Sequence, residues 1–168
     1  NLLLMWLVFS SLAAAVCCLM WPAAHLSEKE PSGVVNELLP VGNDSFYHAR
    51  RILDTAADSS SFYQFDPKIH APEGSLLTWP WGYDYVVGVV VRIGMQLGLA
   101  AQPMTLLVWV PVLAVAVSVG LMLLLARELK LPPSLIGLTT FCMAISPLTQ
   151  YLHGLGVIDH QYVEYIFA

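Results

Sequence analysis

Apolar residues along this chain fall into long uninterrupted runs, and one extended polar segment separates the first run from the others. The first run, residues 2–20, carries no charge and is close to the roughly 20 residues that a helix needs to cross a bilayer core. Trp21-Pro22 then suits the membrane interface, so we predict a transmembrane helix over residues 1–22. A signal peptide is the alternative, which the length of the run disfavours.

Two more apolar runs in the second half of the chain predict two further spanning helices. Residues 104–127 are long enough for a complete crossing, and Pro111 is a natural place for a kink. Residues 134–152 form the next run and predict a third crossing. Together with the first run, these segments predict a bundle of three transmembrane helices.

A short charged turn, residues 128–133, joins the second and third predicted spans. Arg127 and Lys130 lie at this turn, and basic residues in short loops favour the cytoplasmic side of a membrane. The third span would therefore return the chain to the opposite side. Residues 153–168 then begin a second external loop.

The polar segment, residues 23–103, is too long for a simple connection and predicts a first external loop. Within it, residues 44–57 follow a helix N-cap signal and have the period of an amphipathic helix. Asp44, His48 and Arg51 would share one face of this helix. Such a helix suits the membrane interface.

The apolar stretch at about residues 84–101 is harder to interpret, because Arg92 lies at its centre. A charge at mid-membrane costs roughly 2.5 to 3.5 kcal/mol on insertion scales. We therefore predict a re-entrant or interfacial helix rather than a complete crossing. On this topology Asp44 and Asp159 lie on the same, non-cytoplasmic side.

Composition supports an all-α integral membrane protein in contact with lipids, because 57% of residues are hydrophobic and only 11% are charged. The net charge is −5 and no basic stripe occurs, so nucleic acid is not an expected partner. The three cysteines lie in apolar runs without the spacing of disulfide frameworks or zinc sites. The sequence begins with Asn1 and ends inside an apolar run, which is consistent with a fragment of a longer protein.

Candidate chemistry is concentrated in the two predicted external loops. Asp44 and the acidic cluster that begins at Asp159 are suited to a hard divalent cation, which needs several oxygen ligands. His160 or Gln161 would complete the coordination shell. The alternative is that these acids are simply solvated at helix ends. For Arg50 and Arg51, the alternatives are ligand binding and contact with lipid headgroups.

The order of these segments resembles a known family. The motif NDSFYHARRILD lies in a long external loop, a WPWG turn precedes an apolar helix, ARELKLPPS joins two spans, and GVIDHQYVE follows the last span. This arrangement is similar to the N-terminal part of the catalytic subunit of oligosaccharyltransferases, which are membrane glycosyltransferases of the GT-C fold. The resemblance covers nearly the whole chain. It implies a GT-C-like bundle with interfacial helices in the first external loop.

The resemblance implies that Asp44 and Asp159 are catalytic residues and ligands of a Mg²⁺ or Mn²⁺ ion. Gln161 departs from the family pattern, which has an acid or a histidine at this position. An amide oxygen can bind a hard cation but brings no charge. The site would then hold metal less tightly, or use His160 or Glu164 as a ligand instead.

The implied reaction transfers a glycan from a polyprenyl-linked donor to the asparagine of an Asn-x-Ser/Thr site in an acceptor polypeptide. His48, Arg50 and Arg51 would approach the donor phosphate. The catalytic loops would face the periplasm, the cell exterior or a lumen. Enzymes of this family have further transmembrane helices and a soluble domain, so the rest of the same enzyme, or other membrane subunits, are expected partners. The alternatives are another GT-C glycosyltransferase with a lipid-phosphate sugar donor and a noncatalytic subunit of a membrane complex.

Overall fold

The computed structural model describes residues 1–20, 24–30, 33–61, 64–77 and 81–167, and these residues are mostly helical. The helices are α1 (Leu2–Met20), α2 (Asn43–Ala57), α3 (Trp81–Gln96), α4 (Pro103–Glu128), α5 (Pro133–Ala144), α6 (Pro147–Leu152) and α7 (Gln161–Phe167), with a 3-10 turn at Ser59–Ser61. The strands are β1 (Ala24–Glu30), β2 (Gly33–Leu39), β3 (Phe65–Asp66) and β4 (Ser75–Leu76). β1 pairs with β2 and β3 pairs with β4, both antiparallel, so the polar segment contains strands that the sequence analysis did not predict.

Among the described residues, α1 and α4 are the two helices long and apolar enough to cross a membrane. They pack against each other, and the indole Nε1 of Trp6 donates a hydrogen bond of 2.7 Å to the Ala116 carbonyl. Gly120, one turn later on α4, leaves room for this indole, since a Cβ there would lie 3.2 Å from Nε1. Many other side chains of both helices are exposed and apolar, as in helices that face lipid or further helices.

The third predicted span is interrupted in the structure. Instead of one helix over residues 134–152, α5 ends at Ala144 and α6 begins at Pro147. Proline has no amide hydrogen and disfavours the helical conformation in the residue before it, and Ser146 is accordingly extended with ψ 133°. The Gln150 amide donates to the freed Ala144 carbonyl at 2.5 Å. With 12 residues, or about 18 Å, α5 alone is shorter than a bilayer core, so a bundle of three complete spans is not confirmed.

The helix α3 packs along α2 rather than standing alone as an apolar segment. Asp84, near the start of α3, contacts His48 in the first half of α2. Arg92, later in α3, contacts Ser59, just beyond the end of α2. The two helices therefore run in the same direction. The Arg92 guanidinium donates to the Ser59 hydroxyl at 3.2 Å, which gives the central charge of this helix a polar partner. At 16 residues, or about 24 Å, α3 is too short for a complete crossing without thinning of the bilayer.

Gly88 sets the distance between α2 and α3. A Cβ at this position would lie 2.8 Å from the Thr55 Cβ and 3.0 Å from the Ile52 carbonyl oxygen, closer than real side chains approach. The absence of a side chain therefore allows the two helices to touch along their backbones. Ile52 and Val87 then lie in one buried cluster, which also includes Leu107 of α4. This cluster anchors α2 and α3 on α4.

We expect Gly88→Ala to destabilise the protein by about 1 to 3 kcal/mol, because the added methyl group must push α2 and α3 apart. Gly82→Ala is the matched control, since Gly82 belongs to the same helix and a Cβ there would meet nothing within 4 Å. Thermal unfolding in detergent, followed by circular dichroism, measures both variants. Equal transition temperatures for the two variants would contradict the close packing at Gly88.

Candidate metal site

Hydrogen bonds hold the start of α2 against the segment that precedes α7. The Val41 amide donates to the Gly156 carbonyl at 2.8 Å, and the Ile158 amide donates to the Ser45 hydroxyl at 3.0 Å. The Gly156 amide in turn donates to the Val108 carbonyl of α4 at 3.1 Å. Gly156 has a φ of 81°, a conformation that favours glycine. The two motifs that carried the predicted chemistry are therefore neighbours in space.

Three potential metal ligands meet at this contact: His48 from α2, and Asp159 and His160 from the segment before α7. One donor atom from each lies within 4.8 Å of the other two. The Asp159 Oδ1 atom is 2.8 Å from His160 Nδ1 and 3.9 Å from His48 Nε2. The two imidazole nitrogens are 3.3 Å apart. Two nitrogen atoms and one carboxylate oxygen thus point toward one small volume.

The floor of this site is buried and aromatic. His48 is 1% exposed and lies edge-on to the Tyr83 ring, with the ring centres 5.5 Å apart. The Tyr162 hydroxyl donates to the Tyr83 hydroxyl at 3.1 Å. Burial is the main cause that raises the pKa of both phenols above the usual tyrosine value, so both remain neutral donors or acceptors at physiological pH. Asp159 and His160 are less buried than His48.

A buried acid lies behind His48. The Asp84 Oδ1 atom is 2.6 Å from His48 Nδ1, and its Oδ2 atom accepts from Arg51 Nε at 2.8 Å. Asp84 and Arg51 are 2% and 5% exposed, so this chain of contacts is shielded from water. Sequence analysis missed Asp84. Its partners are 33 and 36 residues away on another helix, and no local spacing signals the contact.

A second buried acid, Asp66 of β3, binds the same basic pair of α2. Arg50 Nη2 donates to the Asp66 carboxylate, Arg51 Nη1 lies 3.5 Å away, and the Lys68 amide donates at 2.9 Å. Burial alone would raise the pKa of Asp66. The hydrogen bonds from Arg50 and Lys68 and the two guanidinium charges outweigh it and lower that pKa. Arg51 is therefore held between two buried carboxylates.

The remaining predicted ligands lie at the rim. Asp44 is exposed in the first turn of α2, directly before Ser45, whose hydroxyl contacts the residue preceding Asp159. Gln161 is exposed at the start of α7, and its backbone N–H donates to Asp159 Oδ1, with 3.4 Å between the nitrogen and the oxygen. Glu164 is 64% exposed, with a carboxylate oxygen 3.5 Å from His160 Nε2.

The structure thus groups the predicted site residues differently from the prediction. His48, predicted as a phosphate ligand, faces Asp159 and His160, whereas Asp44 lies outside that close cluster. Arg50, two residues after His48 and therefore on a different face of α2, contacts Asp66, whereas Arg51 contacts both Asp66 and Asp84. Asp44 and His48 are four residues apart and so share one face of α2. Because Asp44 was predicted to lie near Asp159, this spacing was the sequence signal that could have placed His48 near Asp159 as well.

The donor set at this cluster is suited to a divalent ion. A carboxylate and two imidazoles form a mixed oxygen and nitrogen set, which suits first-row transition ions, whereas Mg²⁺ prefers oxygen ligands. His48 is also oriented by a carboxylate on its other nitrogen, an arrangement common at metal-binding histidines. Of the two predicted ions, Mn²⁺ fits these residues better.

Comparison with curated proteins finds one relevant similarity. The chain is 29% identical over 119 residues to a dolichyl-phosphooligosaccharide-protein glycotransferase 1 of Archaeoglobus fulgidus. The match covers 71% of this chain but only 19% of the relative. No protein-family profile matches the chain, and no solved structure matches it. Together with the two helices of spanning length, the similarity supports a membrane protein related to a glycosyltransferase.

Proposed function

We propose that this chain is the N-terminal part of a metal-dependent membrane glycosyltransferase, which transfers a glycan from a polyprenyl-linked donor to asparagine of an acceptor polypeptide. The observation that carries the proposal is the convergence of His48, Asp159 and His160 within 4.8 Å, from segments more than 100 residues apart. Similarity to an archaeal glycotransferase supports the reaction class.

In this proposal His48, Asp159 and His160 hold a Mn²⁺ ion. Asp44 and Gln161 are exposed, and their side-chain oxygens would supply further ligands or contact the acceptor amide. Glu164 lies beside the other ring nitrogen of His160, Nε2, and would orient that histidine. When bound, the ion offsets the negative charge of the phosphate leaving group. The chain itself orients the ligands, because Ser45 and Gly156 fix the two segments against each other.

Arg50 is the most exposed of the three predicted phosphate ligands, although it lies on a different face of α2 from His48. Its side chain is 30% exposed, while those of His48 and Arg51 are 1% and 5% exposed. A donor phosphate can therefore reach Arg50 from solvent. Phosphate binding by Arg51 would require its ion pairs with Asp66 and Asp84 to open.

The site is proposed to lie on the non-cytoplasmic face, with α2 and α3 along the membrane interface. Arg127 at the end of α4 supports a cytoplasmic end for that helix. The site is connected to the opposite end of α4 through Val108. This position would let a membrane-embedded polyprenyl chain present its phosphate to the cluster of His48, Asp159 and His160.

The test uses the full-length protein in nanodiscs, a polyprenyl-linked oligosaccharide and a fluorescent peptide that contains Asn-x-Thr. We expect a glycopeptide to form, chelation by EDTA to abolish its formation, and Mn²⁺ to restore it better than Mg²⁺. A peptide with Gln in place of Asn is the control. Transfer that is insensitive to EDTA, or transfer only from a single-sugar lipid phosphate to another acceptor, would overturn the proposal.

A further inference from the structure

We infer that Asp84 is a positioning residue, which fixes the tautomer and orientation of His48 so that its Nε2 atom faces Asp159 and His160. The tautomer and the orientation of His48 follow from the contacts of Asp84 alone. Its consequence for metal binding rests on the proposed function. No motif in the sequence analysis included Asp84, and it lies on a different helix from every predicted ligand.

The tautomer follows from hydrogen-bond chemistry. An ionised carboxylate can only accept hydrogen bonds, so the 2.6 Å contact between Asp84 Oδ1 and His48 Nδ1 requires the hydrogen on Nδ1. In a neutral imidazole the other nitrogen, Nε2, then carries a lone pair. That lone pair points to the side where Asp159 Oδ1 and His160 Nδ1 lie, 3.9 and 3.3 Å away.

The orientation of Asp84 is itself fixed. Its second oxygen accepts from Arg51 Nε at 2.8 Å, and arginine can donate but never accept. Gly88, one turn later on α3, allows the close helix contact that brings Asp84 to His48. The edge of the Tyr83 ring confines the imidazole from another side. The imidazole is therefore held in one plane by groups from two helices.

An isosteric amide at position 84 would invert this arrangement. In Asp84→Asn, Arg51 can only donate, so the amide oxygen must turn toward Arg51 and the NH₂ group toward His48. The NH₂ group donates to Nδ1, which places the imidazole hydrogen on Nε2. A protonated Nε2 cannot bind a cation. Loss of such an orienting partner typically weakens metal binding about 10- to 100-fold.

Asp66→Asn is the matched control for the alternative that Asp84 serves only to neutralise Arg51. Asp66 is equally buried and also lies close to Arg51, at 3.5 Å. Its described contacts are with Arg50, Arg51 and Lys68, and it does not form the bond to His48 Nδ1. A purely structural effect would therefore appear in both variants, and a tautomer effect only in Asp84→Asn.

The experiment measures Mn²⁺ binding to the full-length protein by electron paramagnetic resonance, with pulsed detection of ¹⁴N couplings from coordinated histidines. We expect Asp84→Asn to weaken binding 10- to 100-fold and to remove the coupling that His48→Ala also removes. Asp66→Asn should keep that coupling and bind within about threefold of wild type, the size of change expected for a charge that does not contact a ligand. Wild-type affinity and couplings in Asp84→Asn, or equal losses in both variants, would overturn the inference.

A measurement on the wild-type protein tests the tautomer without any variant. Solid-state NMR of protein labelled with ¹⁵N-histidine, in the presence of EDTA, should show His48 with hydrogen on Nδ1 and not on Nε2. The opposite tautomer would overturn the inference even if the protein transfers glycan. Conversely, a wild-type protein with the expected tautomer but no glycan transfer would refute the proposed function and leave the role of Asp84 intact.

Discussion

Replacing Asp159 with asparagine is expected to lower glycan transfer by about 100-fold or more while leaving the protein folded. Asp159 supplies the single carboxylate of the cluster and contacts both of its histidines. Asparagine keeps the size of the side chain but removes the negative charge that would balance a divalent ion. A loss of about 3 kcal/mol in transition-state stabilisation corresponds to about 100-fold in rate.

The measurement is the initial rate of peptide glycosylation at saturating donor, together with the Mn²⁺ dissociation constant. Asp54→Asn is the control, because it removes a more exposed carboxylate from α2 whose described partners are Arg50 and Lys68. We expect this control to retain transfer within about twofold, as for surface charge changes generally. An Asp159→Asn enzyme that binds Mn²⁺ and transfers glycan like wild type would rule out the cluster as the metal site.

Replacing Arg51 with alanine is expected to destabilise the protein by about 3 to 5 kcal/mol. Arg51 contacts both buried acids, Asp66 and Asp84. Its removal leaves each of these two carboxylates in a poorly hydrated site with one partner fewer. Such a loss is a large fraction of the stability of a typical domain. Thermal unfolding in detergent at neutral pH measures the change.

Arg50→Ala is the matched control, since Arg50 also binds Asp66 but is partly exposed. A smaller loss of about 1 kcal/mol is expected there, because Asp66 keeps Arg51 and the Lys68 amide as partners and an ion pair to a partly exposed arginine contributes little. Equal losses in the two variants would show that the buried position of Arg51 has no special energetic role.

Acid pH should reduce the difference in unfolding temperature between the wild-type protein and Arg51→Ala. The pKa of Asp66 is lowered in the folded protein by Arg50, Lys68 and Arg51, against the opposing effect of burial. An aspartate whose pKa is lower in the folded than in the unfolded protein stabilises the fold while it is ionised. This stabilisation is complete above the pKa of the unfolded state, about 3.9, and is lost as the pH falls through the pKa of the folded state. The gap in unfolding temperature should therefore narrow between pH 7 and pH 3.

The sequence predicted those parts of the molecule whose signal is local. The runs that became α1 and α4 are long and apolar, and the helix α2 has both a start signal and an amphipathic period. The interruption at Pro147 also had a local signal, the proline itself, but hydropathy averages over a window and does not register one missing hydrogen bond. Windowed hydropathy therefore predicted one long helix where the structure has two.

The site was harder to predict because its contacts are between distant segments. Sequence analysis identified the two loops and their acids, but it assigned His48 to phosphate and did not include Asp84. Only the packing of α3 along α2, which depends on the small size of Gly88, brings Asp84 to the imidazole. No periodicity within either helix encodes that pairing.

Gly156 joins three parts of the chain that are far apart in sequence. Its carbonyl accepts from the Val41 amide and its own amide donates to the Val108 carbonyl, so this one residue ties the segment before α2 and the helix α4 to the segment that bears Asp159. Closing a loop of more than 100 residues is entropically costly and slow compared with forming the local helices. We therefore expect the ligand cluster to assemble late in folding, after α2 and α4 have docked. A chain arrested during synthesis before Gly156 would have the residues of α1 to α6 but would lack α7 and the cluster of His48, Asp159 and His160.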